Sequence, residues 1–235
     1  MGLWERSREV SATVRDRARA LLNVMHGDEK HLSSALVSLD VLAVLYGSVM
    51  RNYEHGGSSD VFYLSKGHGP MGYYAVLAAV GELEFADLLE FGSFHARLGH
   101  HPDRIKAPAF GISSGSLGHG LGLAAGTALA MRIQGSPSNV FVMIGDGEMD
   151  EGSISEAIAY CGRARLSNLR VIILDNHSAT WGWPGGVERR FLLEGWEVER
   201  VDGTDLMGLQ RTLEANSLVR PRAIVVNAKS ERESL

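Results

Sequence analysis

Two polar residues close apolar runs and invite a chemical reading. Val140-Phe141-Val142-Met143-Ile144 ends in Gly145-Asp146-Gly147, and Val171-Ile172-Ile173-Leu174 ends in Asp175-Asn176. Short apolar runs bounded by turn residues suit strands buried on both faces. A helical stretch at 153–165 joins them, so the two strands are expected to run parallel. Asp146 and Asn176 would then stand side by side at one edge of a sheet. A carboxylate and an amide oxygen suit a hard cation such as Mg²⁺. Mg²⁺ asks for about six oxygens and commonly takes several from phosphate and water. Gly145 and Gly147 would let a phosphate approach the backbone, and a helix starting near Ser153 would add the positive end of its dipole. Taken alone, Gly-Asp-Gly is also an ordinary turn.

These residues need a scaffold, and the rest of the chain supplies one. Apolar spacing predicts helices over 7–26, 33–51, 71–80, 83–91, 120–133, 153–165 and 205–216. Further strands are expected at 196–201 and 223–226. The fold class is α/β, a mainly parallel sheet with helices on both faces. We expect one domain over 1–235, with the helices of 1–60 packed on it. In such sheets ligands bind at the carboxyl ends of the strands. The stretch 107–131 contains no Asp, Glu, Lys or Arg, but its first half is rich in Gly and Ser. Its apolar part, 121–131, is too short to span a bilayer. It reads as a buried helix whose glycines at 118, 122 and 126 permit close packing.

Composition narrows the partners. The net charge is −5, which argues against a general nucleic-acid or anionic-membrane binder. The one cysteine, Cys161, excludes an intrachain disulfide and a cysteine-based zinc site. A cytoplasmic setting fits. The chain has 28 glycines, and 18 of them fall in 56–152, where backbone-lined ligand sites would need them.

Asn176 follows Gly147 after 28 intervening residues, a spacing that resembles the diphosphate–metal motif of enzymes using thiamine diphosphate. The likeness extends along the chain. LSKGHG (64–69), GHHP (99–102), SSGSLGHGLGLAAGTALA (113–130), GDGEMDEGS (145–153) and EGWEVERVDGTD (194–205) resemble, in order and separation, the N-terminal half of transketolase. The resemblance implies a thiamine diphosphate-binding fold and assigns roles by position. Asp146, Asn176 and the backbone carbonyl of Ser178 match the ligands of Mg²⁺, for which Ca²⁺ or Mn²⁺ can substitute. Gly145, Gly147 and Glu148 fall in the diphosphate-contacting segment, and Gly147 matches a residue whose amide meets the diphosphate. Gly115, Ser116 and Leu117 match the loop along the cofactor. His68 resembles the histidine at the diphosphate, His31 the substrate-side histidine, and His101 the histidine near the reacting carbon. Glu151 resembles an acidic residue at the subunit interface. On residue type alone each histidine reads as an ordinary surface or core residue, and Trp181 and Trp183 read equally as substrate lining or loop packing.

The activity implied is two-carbon ketol transfer from a ketose (phosphate) donor. In the family the cofactor is activated by a glutamate of a pyrimidine-binding domain, which has no counterpart in this sequence. We therefore expect a split enzyme, completed by a separate C-terminal transketolase-like subunit that carries that domain and its glutamate, as an α2β2 assembly. Three departures from the family pattern bear on substrate: Glu29-Lys30 before His31, His177 after Asn176, and the ending NAKSERESL. They point to a specialised acceptor, as in secondary metabolism. One alternative is transfer to a lipoyl or carrier-protein acceptor, as in the first component of 2-oxo acid dehydrogenases. The other is a non-catalytic, degenerate partner subunit.

Overall fold

The structure, a computed structural model, describes residues 3–28, 32–51, 59–177, 179 and 182–228. In chain order the elements are α1 (Leu3–Leu22), α2 (Leu32–Val44), β1 (Val61–Leu64), α3 (Met71–Ala79), α4 (Phe85–Leu89), α5 (Gly120–Ile133), β2 (Val140–Gly145), α6 (Gly152–Ala164), β3 (Leu169–Asp175), α7 (Val187–Leu193), β4 (Glu197–Asp202), α8 (Leu206–Glu214) and β5 (Arg222–Asn227). The strands form one sheet in the order β1-β2-β3-β5-β4, parallel at every pairing.

Burial follows position in the sheet. Central β2 and β3 are buried at every residue, which is why Val140–Ile144 and Val171–Leu174 are apolar runs rather than alternating ones. Edge strands β1 and β4 are only partly covered. The period of two then divides the side chains between two cores. Phe141, Met143, Ile172, Leu174, Ile224 and Val226 face one layer with residues of α1, α2, α3 and α8. Val140, Val142, Ile144, Val171, Ile173 and Val225 face the other, with residues of α5, α6 and α7. β2, β3 and β5 therefore arrive at their carboxyl ends locked between two packed layers, and the loops beyond those ends start from fixed points.

Several elements differ from the sequence expectation. β1 is an additional strand: its four residues are too few to show a period. α7 is an additional helix, and it follows the turn-rich run Trp181-Gly182-Trp183-Pro184-Gly185-Gly186. α1 ends at Leu22 rather than 26, and a π-helical turn over Leu45–Val49 ends the second helix before 51. The expectation of a buried 121–131 helix is corrected in part. Leu123 is 50% exposed, and a Cβ built on Gly122 or Gly126 would meet nothing within 4 Å. The close-packed neighbour expected for these glycines does not lie within the described residues. Among them, no helix is long and apolar enough to cross a membrane.

Candidate active site at the strand ends

Asp146 and Asn176 leave neighbouring strands. The register pairs Gly145 with Leu174, so the chain passes β2 and β3 at nearly the same level. Asp146 opens a 3₁₀ turn over Asp146–Asp150 that separates β2 from α6. Its side chain is buried, and its Oδ2 accepts the backbone N–H of Ala179 at 3.0 Å. That bond draws the segment after β3 across Asp146. The Oδ1 of Asn176 is buried without a hydrogen-bond partner. Leaving such an oxygen unmatched costs about 1–3 kcal/mol, and a hard cation held jointly with Asp146 would satisfy it. Among the described residues no group of three His, Cys, Asp or Glu side chains could hold a metal. A cation here would rest on carboxylate, amide and backbone oxygens plus those of its ligand.

A second group gathers where the loops after β1 and before α5 meet. The rings of His68 and His101 stand edge to face at 5.0 Å between centroids. His101 Nδ1 lies 2.9 Å from the carbonyl oxygen of Gly67. That oxygen only accepts, so in the neutral ring Nδ1 carries the proton and Nε2 carries the lone pair. Gly67 touches the opposing loop through backbone: a Cβ on it would lie 2.6 Å from the nitrogen of Gly115. Tyr74 on α3 donates its hydroxyl to the carbonyl of Gly99 at 2.9 Å, fixing the segment that carries His101. A cleft of ≈ 300 Å³ opens here, lined by Ser65, Ser114, Gly115, Ser116 and His119 among others. The Oγ of Ser114 is buried with no hydrogen-bond partner.

Glu148 ties these pieces together from beneath. Its Oε1 accepts the hydroxyl of Ser65 at 2.7 Å and the N–H of Gly118 at 3.0 Å. Its Oε2 accepts the N–H of Gly145 at 3.0 Å. Ser65 in turn accepts the N–H of Gly120 at 3.1 Å. One buried carboxylate thus joins the end of β1, the start of α5 and the end of β2. Burial pushes its pKa up, while the bonds from Gly118, Ser65 and Gly145 and the charge of Lys66 pull against that shift. Gly118 adopts φ +85°, and a Cβ there would fall 2.6 Å from Ser153 Oγ; that hydroxyl donates to the Gly118 carbonyl at 2.8 Å.

The far wall comes from the elements after β3. A cavity of ≈ 280 Å³ is lined by Asp146, Asp175, His177, Trp183 and Arg200, among others. Arg200 on β4 donates to Asp175 Oδ2 at 2.8 Å and pairs with Glu188 on α7. Arg190 lies over the Trp183 ring at 5.5 Å. His177 takes φ +57°, in the left-handed region that is uncommon for residues other than glycine but more open to Asn, Asp and His.

The structure thus brings Asp146 and Asn176 together, and His68 with His101 and Gly115. Ser116 and Leu117 lie in the same loop, bridged by His119, whose Nδ1 sits 3.2 Å and 3.0 Å from their carbonyl oxygens. Gly147 lies in the 3₁₀ turn. Glu148 lies in the same turn, with both its side-chain oxygens accepting internal donors. His31, Ser178 and Trp181 lie outside the described residues. Trp183 lines the cavity beside Asp146. Ser65, Lys66 and Tyr74 join the site without a signal of their own in the sequence; the first two stand in LSKGHG, where the histidine is the residue that suggests chemistry. Cys161 is buried, its thiol pushed up to about 12 by burial, and it lies in the core between α6 and the sheet.

Comparison with known proteins identifies the family. The family described as "Transketolase, thiamine diphosphate binding domain" matches residues 9–230. The chain is 46% identical over 226 residues to "Ferredoxin fas2" of Rhodococcoides fascians, covering 94% of this chain and 74% of that protein. It is 30% identical over 221 residues to one of the subunits of the apulose-4-phosphate transketolase of Actinobacillus succinogenes, covering 90% and 80%. Among solved structures, transketolase from Leishmania mexicana superposes with a TM-score of 0.81 at 25% identity; the match takes 94% of this chain and 36% of that one. The chain therefore spans about a third of that full-length enzyme. This chain belongs to the transketolase family, as its thiamine diphosphate-binding domain.

Proposed function

We propose that the chain is the diphosphate-binding subunit of a split transketolase and transfers a two-carbon ketol unit with thiamine diphosphate and Mg²⁺. The observation that carries the reading is the unpartnered Oδ1 of Asn176 beside buried Asp146. It occurs in a chain that matches 80% of a relative named as one subunit of a transketolase. Asp146, Asn176 and the backbone at 178 would hold the metal, and the glycines at 145 and 147 would let the diphosphate approach. The donor set is all oxygen, which fits Mg²⁺ and admits Ca²⁺ or Mn²⁺.

When bound, thiamine diphosphate supplies a thiazolium carbon that carries the two-carbon fragment between donor and acceptor. The protein's part is to position and to move protons. His68 and His101 stand beside the Gly115–Leu117 loop. His101, fixed through Nδ1, offers Nε2 to take up or return a proton. His31 is assigned the substrate side. Glu148 acts on the reaction through the loops it joins. The pyrimidine-binding domain and its glutamate come from a separate chain, in an α2β2 assembly in the cytoplasm, with Glu151 at the joint.

A donor assay tests this reading. The chain, mixed with the pyrimidine-domain partner subunit, is expected to lengthen an aldose acceptor by two carbons from a ketose phosphate and to leave pyruvate unused. Pyruvate-dependent transfer to a lipoyl or carrier-protein thiol would replace ketol transfer as the activity. Failure of the complex to bind thiamine diphosphate would mark a non-catalytic subunit.

A further inference from the structure

The amino ends of the strands, away from the site at their carboxyl ends, hold a second polar cluster. The register pairs Phe141 of β2 with Arg170 of β3, and Arg170 with Arg222 of β5. Residues paired across parallel strands share a face of the sheet. Phe141 belongs to the layer under α1, α2, α3 and α8, so both arginines enter that layer. The Arg170 guanidinium carbon lies 5.4 Å from the centre of the Phe141 ring. Arg170 is 2% exposed and Arg222 8%.

The surrounding charges leave one arginine over. Arg51 holds Asp60 through Nε at 3.1 Å and Nη2 at 3.0 Å. Arg222 pairs with Glu199 at 2.9 Å. Arg170 has no carboxylate partner among the described residues: its Nη2 donates to the amide oxygen of Asn216, just past α8, at 2.6 Å. Its Nε and Nη1 are buried without an acceptor, and so is Nε of Arg222. Burial and then the charge of Arg222 push the Arg170 pKa down to about 10, with Asp60 opposing. The guanidinium is therefore still charged at neutral pH. The Phe141 face attracts that charge but gives the open N–H groups nothing to donate to. A buried charge without a counter-ion is strongly unfavourable. A water molecule would satisfy the N–H groups and leave the charge unbalanced.

We propose that Arg170 and Arg222 form a binding site for a small inorganic anion, of the size of chloride, at the amino ends of β3 and β5. Adjacent strands set the two backbones about 4.8 Å apart, so one ion can accept from an open N–H of each. Hydrogen bonds from a charged donor to an anion are the strong class. The near-complete burial of both residues leaves space for an ion close to water in size rather than for a phosphate ester. The site is separate from the cofactor reading: along β3, Arg170 stands roughly 16 Å from Asp175. Its occupant contributes to the stability of the sheet and takes no part in the chemistry.

Thermal melting of the full chain tests this, with chloride exchanged for gluconate at constant ionic strength, for wild type and Arg170→Met. The wild-type melting temperature is expected to rise by several degrees as chloride increases about a hundredfold past its dissociation constant. Arg170→Met removes an uncompensated buried charge. It should melt at least as high as wild type in gluconate and lose the chloride response. Wild-type crystals soaked in bromide should show an anomalous peak within hydrogen-bonding distance of Arg170, and they decide the matter should the variant fail to fold. A wild type indifferent to chloride overturns the proposal, since water would then fill the place. So does an undiminished chloride response in Arg170→Met, which would put the ion elsewhere. A bromide peak without a chloride response in solution is binding at crystal concentration only, and it too overturns the proposal.

Discussion

Asp146 and Gly67 illustrate two ways in which a single residue governs the site. Asp146 acts through charge. Asp146→Ala is expected to leave the fold intact and to weaken Mg²⁺-dependent binding of thiamine diphosphate by more than about 100-fold, beyond the 10–100-fold typical of losing a group behind a ligand. Calorimetry on the variant would read it, and unchanged affinity would remove Asp146 from the metal site. Gly67 acts through the absence of a side chain. A Cβ there would meet the backbone of Gly115 at 2.6 Å, which has no flexible end to yield. Gly67→Ala should cost about 1–3 kcal/mol of stability and pull His101 from its bond to Gly67. A melting temperature equal to wild type would show that the loops separate freely. Asp146 and Asn176 are legible in the sequence because each ends an apolar run. The role of Glu148 is not, because its bond to Ser65 joins residues 83 apart in the chain. No local pattern announces such a pairing.

At the scale of elements, strands make the site and helices hold it. The alternation between two cores fixes β2 and β3, so the residues after them inherit their positions. β3, β4 and α7 are cross-linked at the same end by Arg200 with Asp175 and Glu188. The hydrogen bond from Arg200 holds the Glu188 carboxyl below the usual carboxylate range, with Arg200's charge adding to it. The folded state therefore gains stability from this group above the unfolded pKa and loses it as pH falls through the lower, folded pKa. Arg200 is 38% exposed, and solvent screening keeps the pair below about 1 kcal/mol. Glu188→Gln should lower stability slightly at neutral pH, and the difference should vanish in acid. A difference that grows on acidification would contradict the assignment. The central strands are legible as apolar runs bounded by turn residues, and most helices from periodicity. β1 is too short to show one, and α7 is hidden behind a run of turn residues. The open face of α5 is hidden too, since small residues that suit packing in sequence do not say whether the partner lies within the chain.

Over the whole molecule, the parts sort into a diphosphate end that this chain builds and a reaction centre assigned to two chains. Asp146 and Asn176, the loop 113–117 and the two histidines all lie at one edge of a single parallel sheet. The pyrimidine-binding domain assigned to a second chain would close the cleft against that edge. Exposed Leu123 and the uncovered glycines of α5 lie next to the loop 113–117. Ketol transfer measured for this chain by itself, for the pyrimidine-domain chain by itself and for their mixture tests the division of the active site directly. Neither chain alone should turn over ketose phosphate, and mixing them should restore activity that saturates at equal stoichiometry. Substantial turnover by this chain alone would contradict the split.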